Sequence, residues 1–484
     1  MRCSGCTKVW YCNNSCQKTD WDLHKRECSA LRRWAKKAPS DDLAIPSDAV
    51  RCLGRILWQI NSKGHNSDWA REIQAMQSHR KSIQSSSAEF PATLEAHTHL
   101  AHSIVHYLGL SSPAELQEFG VTSAGDLVDL ISRFITNTYA LTSPSLTPLG
   151  VSVSSLVALI NHSCAPNAVV VFPRNDKSKG KKEPIMNIVA LRDIAPDEEV
   201  LTAYIDTTLP RSLRQEALKE TYSFQCQCTL CEMPTGTGID PREAVWCPKS
   251  CGGMCPLPNE ENQVSRCTKC RAAITDPLAV IDAARIGREA LGKATNLQFS
   301  DYNKAKQLTI NVIPILVSAG LTPSCHPFLA LLKLHQSLLV SSFSARLSQD
   351  ILDEAIRASA KHSAGLSAIL DEGHPVRAVA LAELGKLLAV DEPAPSSSSQ
   401  PSLPQTNNAF PPSGPARVKI AYETLLQARK ELVIGFGRDN DGGEVGRSIR
   451  DIIVSLEKEL GVWTTGIRNA LEDIPKKPAK GTSG

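Results

Sequence analysis

The sequence has few aromatic residues, almost no net charge and no long apolar run. Phe, Trp and Tyr make up 5% of the 484 residues, and 53 basic residues against 50 acidic ones leave a formal net charge of +3. So small an excess of positive charge argues against nucleic acid as the primary partner. The most apolar stretch, residues 308–321, is interrupted by Asn311 and Pro314, so we expect no membrane span.

The cysteines favour bound metal over disulfide bonds. Their number, sixteen, is even, but they are spread over 484 residues, whereas disulfide scaffolds are small, secreted and dense in cysteine. The start Met1-Arg2-Cys3 leaves no room for the charged region and apolar run of a signal peptide. We therefore expect a reducing compartment, the nucleus and/or the cytoplasm, with zinc on the thiols.

Three clusters contain thirteen of the sixteen cysteines. The first comprises Cys3, Cys6, Cys12, Cys16, Cys28 and also His24, the second Cys226, Cys228 and Cys231, and the third Cys247, Cys251, Cys255, Cys267 and Cys270. A tetrahedral zinc site takes four thiolate or imidazole ligands. By that count the first cluster has ligands for one site and a half, and the second lacks one ligand. The third has one to spare: we place zinc on Cys247, Cys251, Cys267 and Cys270, with the choice between Cys251 and Cys255 open.

Hydrophobic periodicity predicts an α+β fold class with several domains. Residues 48–120 have helical periodicity, whereas short β-branched runs between turn residues, typical of a compact β domain, extend from Phe134 to Tyr204. After Cys270 the chain is helical almost throughout, which suggests a helical-repeat array. The Pro- and Ser-rich residues 391–416 are expected to form a disordered loop.

The first cluster resembles the MYND zinc finger. The spacing C-x2-C-x5-C-x3-C-x7-H-x3-C from Cys3 to Cys28 is that of the family, and Trp10 and Trp21 stand in the family's places. The resemblance implies one zinc ion on Cys3, Cys6, His24 and Cys28. It implies that Cys12 and Cys16 share a second ion with a cysteine pair that normally lies just upstream. A Pro-rich peptide is the implied partner of the finger.

Two later motifs are similar to those of SET-domain lysine methyltransferases. Residues 161–167, with the sequence NHSCAPN, match the family's signature, and residues 198–204, EEVLTAY, resemble its next motif. Residues 222–231 look like its post-SET tail. In that family the cysteine of the NHSC motif completes the tail's zinc site, so the resemblance implies Cys164 as the fourth ligand beside Cys226, Cys228 and Cys231.

The resemblance also implies methyl transfer from S-adenosylmethionine to a lysine of a histone or another protein. Tyr204 would be the catalytic residue that orients the lysine amine. Phe224 would stack on the adenine of the cofactor, and Tyr222 would line the lysine channel. The residues implied in cofactor binding are Asn137 (by a looser match), Asn161, His162, Tyr222 and Phe224.

The order of segments is similar to that of SET–MYND methyltransferases along most of the chain. It implies a MYND finger (1–28), a helical insert (29–130), a SET core (131–224), a post-SET zinc region (225–275) and a tetratricopeptide-like helical domain (276–484). From the count of four ligands a site we expect two to three zinc ions in all. In the family the first SET strands precede the finger and none does here, so we expect weakened catalysis. The alternative is a non-catalytic regulator that uses the finger and the helical domain as an interaction scaffold.

Overall fold

The computed structural model describes residues 1–85, 91–174, 184–232, 238–344, 347–393 and 410–461. Most of the loop predicted at 391–416 lies outside these ranges, but its end is corrected. Helix begins at Pro415, because proline fits the first turn of a helix. Among the described residues, no helix is both long and apolar enough to cross a bilayer.

Helices make up most of the described chain before residue 137. They are α1 (Asn14–Lys37), α2 (Asp48–Lys63), α3 (Asp68–Ala75), α4 (Arg80–Ser85), α5 (Pro91–Leu108) and α6 (Ala124–Thr136). In α2, as predicted, Leu53, Leu57 and Ile60 recur on one face and are buried. The side chain of Ser47 caps the helix by accepting a hydrogen bond from the backbone N of Val50.

Helix α6 extends into the segment that is predicted to be β-rich from Phe134 onward. Leu127, Ile131 and Phe134 recur at helical spacing and are buried in the core that α6 shares with the finger and α2. This burial holds residues 131–136 in the helix despite their β-branched composition. The first strand therefore begins at Thr138 rather than near Phe134.

The strand-rich segment consists of two-stranded sheets. The antiparallel pairs are β1 (Thr138–Thr142) with β2 (Pro148–Val153), β4 (Ala168–Val171) with β5 (Asn187–Ala190), and β7 (Ala244–Trp246) with β8 (Met254–Pro256); β3 (Asn161–His162) and β6 (Leu201–Thr202) are parallel. Within residues 199–204, which are predicted to form a strand, the strand comprises Leu201 and Thr202 alone. The reason is Asn167, whose side chain donates to the carbonyl of Glu199 and accepts from the backbone N of Leu201, each at 2.8 Å, in place of a neighbouring strand.

The later chain is a set of packed helices. They are α7 (Arg211–Tyr222), which follows Pro210 as predicted, and α8 (Pro277–Leu297), α9 (Tyr302–Ser318), α10 (Phe328–Ser341), α11 (Gln349–Ser367), α12 (Pro375–Leu388), α13 (Pro415–Gly435) and α14 (Gly443–Glu459). From α8 onward, helices adjacent in sequence pack against each other. Helix α11 passes closest to the α9–α10 connection at Gly365, where an added Cβ would lie 2.4 Å from the carbonyl oxygen of Pro323.

Candidate functional site

The first metal cluster joins a tight turn to helix α1. Cys3 and Cys6 in the turn face His24 and Cys28 on the buried side of the helix. Atom Nε2 of His24 lies 3.4 Å from Sγ of Cys3 and 3.7 Å from Sγ of Cys6. All four ligand atoms lie within 4.8 Å of one another, which suits zinc, because Zn–S bonds of about 2.3 Å place two sulfurs about 3.8 Å apart. Gly5 leaves room: a Cβ there would lie 2.8 Å from Sγ of Cys28.

A buried carboxylate orients the histidine of this cluster. Glu27 is fully buried, and its Oε2 accepts a hydrogen bond of 3.0 Å from Nδ1 of His24, which leaves Nε2 to face the sulfurs. Arg51 and Arg55 of α2 form ion pairs with the same carboxylate. Burial alone would raise the pKa of Glu27, but these three partners hold it at about 2.

Cys12 and Cys16 stand apart from this cluster. Both are exposed. Among the described residues, neither belongs to a group of three or more side chains that could hold a metal. The second finger ion that the resemblance implies therefore stays a prediction.

The second cluster brings Cys164 to the post-SET-like cysteines. Its Sγ lies 3.5 Å from Sγ of Cys231, across 67 residues of sequence. With Cys226 and Cys228 included, the four sulfurs lie within 4.8 Å of one another. The guanidinium of Arg214, fully buried, lies 4.0 Å from Sγ of Cys231. Four thiolates on one Zn²⁺ ion have a net charge of −2, so a buried cation beside them is stabilising.

His162 connects the second cluster to Tyr204. The backbone N–H of Tyr204 donates to Nδ1 of His162 at 3.0 Å, so the proton of the neutral ring resides on Nε2. That nitrogen lies 3.3 Å from Sγ of Cys164, to which it donates. Burial lowers the pKa of His162 to about 4 and thereby keeps the ring neutral. One imidazole thus fixes the backbone of Tyr204 relative to the cysteines.

The rings of Tyr204 and Phe224 lie beside His162, and the ring of Tyr222 lies beside Tyr204. The Tyr204 ring centre lies 5.2 Å from that of His162 and 4.9 Å from that of Tyr222, and Phe224 lies 5.9 Å from His162. The hydroxyl of Tyr204 donates to the carbonyl of Ile160 at 2.6 Å. Burial raises the pKa of Tyr204, and it raises that of Tyr222 to about 12, so both hydroxyls stay protonated at neutral pH.

The two predicted asparagines make different contacts. Asn161 is exposed, and its amide donates to Oε1 of Glu199 at 2.6 Å. Asn137 is buried behind the end of α6, where its amide donates to the carbonyls of Arg133 and Gln77 at 2.7 and 2.9 Å. The donor of Asn137 is therefore satisfied within the fold, and its part in cofactor binding remains a prediction.

The geometry of the third cluster favours Cys251 over Cys255. The Sγ atoms of Cys247 and Cys270 are 3.4 Å apart, and those of Cys251 and Cys267 are 3.5 Å apart. These four lie within 4.8 Å of one another. Cys255 lies on β8, fully buried in an apolar core, and does not belong to the group.

A wide cleft of about 2060 Å³ separates the aromatic rings from the C-terminal helices. Its lining includes five of the six residues predicted for catalysis and cofactor binding, namely Asn137, Asn161, Tyr204, Tyr222 and Phe224. The C-terminal helices and their connections contribute polar side chains to it, among them His326, Lys333, His362, His374 and Glu383. Ligand pockets usually measure about 300–1,000 Å³, so this cleft has room for a cofactor together with a peptide.

Comparison with known families decides the nature of the first segment. Residues 1–28 match the zf-MYND family model, the MYND finger. The chain carries a MYND finger. Within the described part of the chain, the MYND finger holds one complete set of four ligands, which points to zinc.

The curated relatives are named as methyltransferases or as proteins with SET and MYND domains. The histone-lysine N-methyltransferase ASHR1 of Arabidopsis thaliana is 30% identical over 236 residues, which are 48% of this chain and 43% of the relative. The SET domain and MYND-type zinc finger protein 6 of Schizosaccharomyces pombe is 31% identical over 235 residues, 48% of this chain and 41% of its own. Human N-lysine methyltransferase SMYD2 is 28% identical over 232 residues, 48% and 47% of the two chains.

The resemblance to SET–MYND methyltransferases is therefore confirmed over about half of the chain. The chain spans less than half the length of these curated relatives, at 41 to 47% of each. ASHR1 and SMYD2 are named lysine methyltransferases. The Cys and His clusters, the MYND finger among them, point to zinc.

Sequence reasoning missed three side chains that support the site. Glu27 orients the histidine of the MYND finger, Arg214 lies beside the second cluster, and Glu199 holds Asn161. Glu27 alone had a readable signal, because His24 and Glu27 have the i, i+3 spacing that places two side chains on one face of a helix.

Proposed function

We propose that this protein is an S-adenosylmethionine-dependent protein-lysine N-methyltransferase of the SET type, acting on a histone or another protein. One observation carries the proposal. His162 and Tyr204, which come from two separate motifs, are hydrogen-bonded to each other beside the Cys164 cluster, and Tyr204 lines the cleft. The names of the relatives support the same reaction.

The domain arrangement is part of the proposal. Residues 131–224 would be the SET core, 29–130 its helical insert and 225–275 the post-SET zinc region, with the tetratricopeptide-like domain over 276–484. The two-stranded sheets from β1 to β6 and the helices from α8 to α14 support this division.

The lining of the cleft fits S-adenosylmethionine. When bound, the cofactor supplies a methyl group on a positively charged sulfur. The faces of the Tyr204 and Tyr222 rings attract a cation, and Phe224 offers a face on which an adenine can stack. Asn161 and the backbone of His162 would hold the cofactor by hydrogen bonds. Volume and ring chemistry both suit this occupant.

Tyr204 would orient the substrate amine. Its hydroxyl oxygen and the carbonyl of Ile160 lie 2.6 Å apart and can both accept hydrogen bonds from an amine. A lysine amine in this site would lie among half-buried rings, and such desolvation favours the neutral, nucleophilic form. Fixing the direction of the amine lone pair is the contribution that positioning makes to such a reaction.

The substitution Tyr204→Phe tests this role. We expect methylation of a protein lysine to fall by about 10²-fold or more, since the loss of one positioned polar group has that scale. Tyr422→Phe is the matched control, because the buried Tyr422 hydroxyl has no hydrogen-bond partner among the described residues, and it should retain the parent rate. Transfer of a radiolabelled methyl group to histones and to cell extracts gives the rates. Equal rates for Tyr204→Phe and the parent would remove Tyr204 from the mechanism.

A specific observation favours the second candidate, an interaction scaffold found in the nucleus and/or the cytoplasm. Trp10 and Trp21 of the finger are 70% and 43% exposed, and exposed aromatic side chains are typical of binding surfaces. Titration calorimetry separates the two functions. Micromolar binding of S-adenosylmethionine to the full chain would favour the enzyme. Binding of a Pro-rich peptide that Trp10→Ala abolishes, without cofactor binding, would favour the scaffold.

A further inference from the structure

The third cluster is built by two backbone knuckles. Strands β7 and β8 form a hairpin whose loop contains Cys247 and Cys251, and Cys267 belongs to a second turn. The backbone N of Cys247 donates to the carbonyl of Gly253 at 3.1 Å. Gly253 has no room for a side chain, because a Cβ would lie 2.7 Å from Sγ of Cys267. Gly252, which lies between Cys251 and Gly253, has a φ of +75°, a value that favours glycine.

The four thiols have the spacing of a metal site. Sulfur pairs 3.4 and 3.5 Å apart are close to the separation of about 3.8 Å expected around zinc, and all four lie within 4.8 Å of one another. None of the cysteines forms a disulfide. A site of four thiolates is the ligand set that structural zinc prefers.

The β7–β8 hairpin also packs against the C-terminal helices. Strand β7 lies against the α9–α10 connection, residues 319–327: the backbone N of Trp246 donates to the carbonyl of Gly320 at 2.7 Å, and the backbone N of Thr322 donates to that of Ala244 at 3.2 Å. The side chains of the hairpin share one apolar core with α8, α9 and α10. Small domains of this kind depend on metal for their order.

Arg242, two residues before β7, connects the hairpin to the cleft through hydrogen bonds. It is 3% exposed. Its Nε donates to the carbonyl of Thr207 at 2.7 Å, three residues beyond Tyr204, and its Nη2 donates to the carbonyl of Ile369, just after α11, at 3.0 Å. The carbonyl of Arg242 accepts from the backbone N of His326 at 2.9 Å. Thr207 and His326 both line the cleft.

We infer that one zinc ion binds to Cys247, Cys251, Cys267 and Cys270, and that this ion holds residues 204–209 and the C-terminal helices in place relative to each other. We call this arrangement the clamp. The ion fixes the hairpin, the hairpin fixes β7 against residues 319–327, and Arg242 ties both sides of the cleft to that strand. Arg242 is thus a positioning residue. The metal site is independent of the proposed methyl transfer, and any effect on turnover rests on that proposed function.

Zinc content tests the site in the full chain. Cys251→Ser and Cys270→Ser should each lose one zinc ion per chain, whereas Cys255→Ser, which removes a buried thiol of the same hairpin, should keep the parent content. Cys270→His, which supplies another zinc ligand at an exposed position, should restore the ion. Cobalt chloride, added to each apoprotein, should give the tetrathiolate charge-transfer band in the parent and in Cys255→Ser, with lower intensity in Cys251→Ser. Unchanged zinc in Cys251→Ser would overturn the site.

Hydrogen exchange tests the clamp without reference to activity. In Cys251→Ser we expect the amides of Trp246, Thr322 and His326 to exchange at least tenfold faster than in the parent, with α13 unchanged. Arg242→Met should keep all its zinc and yet loosen residues 205–209. Loss of zinc with unaltered exchange at these three amides would leave a metal site but no clamp. Failure of the proposed function would change neither zinc content nor exchange, so the two ideas fail separately.

Discussion

At the scale of single residues, Glu27 shows how a side chain outside the four-ligand group of the finger contributes to the geometry of that group. Its carboxylate holds the ring of His24 from behind and also pairs with Arg51 and Arg55 of α2. The histidine ligand is thus oriented by a residue whose own position is set by a second helix. Outer contacts of this kind fix the tautomer and direction of a metal-binding histidine.

Replacing Glu27 by Gln should weaken the finger's hold on zinc about 10- to 100-fold, the usual scale for such contacts. The variant keeps the shape of the side chain but removes the charge that His24, Arg51 and Arg55 share. Competition with a chelator measures the affinity. Asp68→Asn, which breaks an exposed ion pair with Arg71, is the control and should leave the affinity unchanged. An unaltered affinity in Glu27→Gln would mean that His24 needs no orienting partner.

Sequence reasoning reached the ligands of the finger because cysteine and histidine are rare and their spacing there is local. Cys164 was accessible through the family resemblance alone, since 67 residues separate it from Cys231. The choice between Cys251 and Cys255, four residues apart in the hairpin, depends on the direction in which each thiol points. Cys255 points into the apolar core, and no spacing rule contains that information.

At the scale of elements, the backbone of α11 approaches that of the α9–α10 connection so closely at Gly365 that a larger residue there should destabilise the fold. In Gly365→Ala the new Cβ would lie 2.4 Å from the carbonyl oxygen of Pro323, a backbone atom that no rotamer change can move. We expect a loss of about 1–3 kcal/mol in the free energy of unfolding, the usual cost of overpacking. Urea denaturation measures it.

Gly292→Ala in α8 is the matched control. No atom in the part of the chain that the structure describes lies within 4 Å of the added Cβ, so the better helix propensity of alanine should raise the free energy of unfolding by about 0.5–1 kcal/mol. If both variants shifted stability in the same direction and by the same amount, helix propensity rather than packing would be the cause.

The ends of elements were less predictable than their existence. Helix α6 continues into the segment predicted to be β-rich because Ile131 and Phe134 are buried beside Leu127. Strand β6 is shorter than its signal because the side chain of Asn167 occupies the backbone groups of Glu199 and Leu201. In both cases a contact with a distant part of the chain overrides local preference.

At the scale of the whole molecule, metal content is the most direct check. The described residues contain three complete four-ligand groups, which include His24, Cys164 and Cys267 respectively, so we expect about three zinc ions per chain. Elemental analysis of protein purified without added zinc gives the number. A value near one would leave the finger alone and remove the other two sites. Chelation should also lower the thermal midpoint, because Cys3, Cys6 and Cys28 belong to the core shared with α2 and α6.

The long reach of Cys164 imposes an order on how the protein is made. In the finger, Cys28 follows Cys3 by 25 residues, and in the third cluster Cys270 follows Cys247 by 23. The second cluster is complete only after Cys231 has been synthesised, 67 residues after Cys164. Loop length costs little in itself, since closure entropy grows only with its logarithm. Time is the larger factor: at about 5–20 residues per second, the ribosome needs several seconds to deliver the missing thiols. Tyr204 is synthesised within that interval, so His162 and Tyr204 both exist before the cluster that fixes them is complete, and Cys164 lacks its partner Cys231 until then. Until Cys231 is synthesised, the second cluster therefore offers a zinc ion at most three of its four thiols.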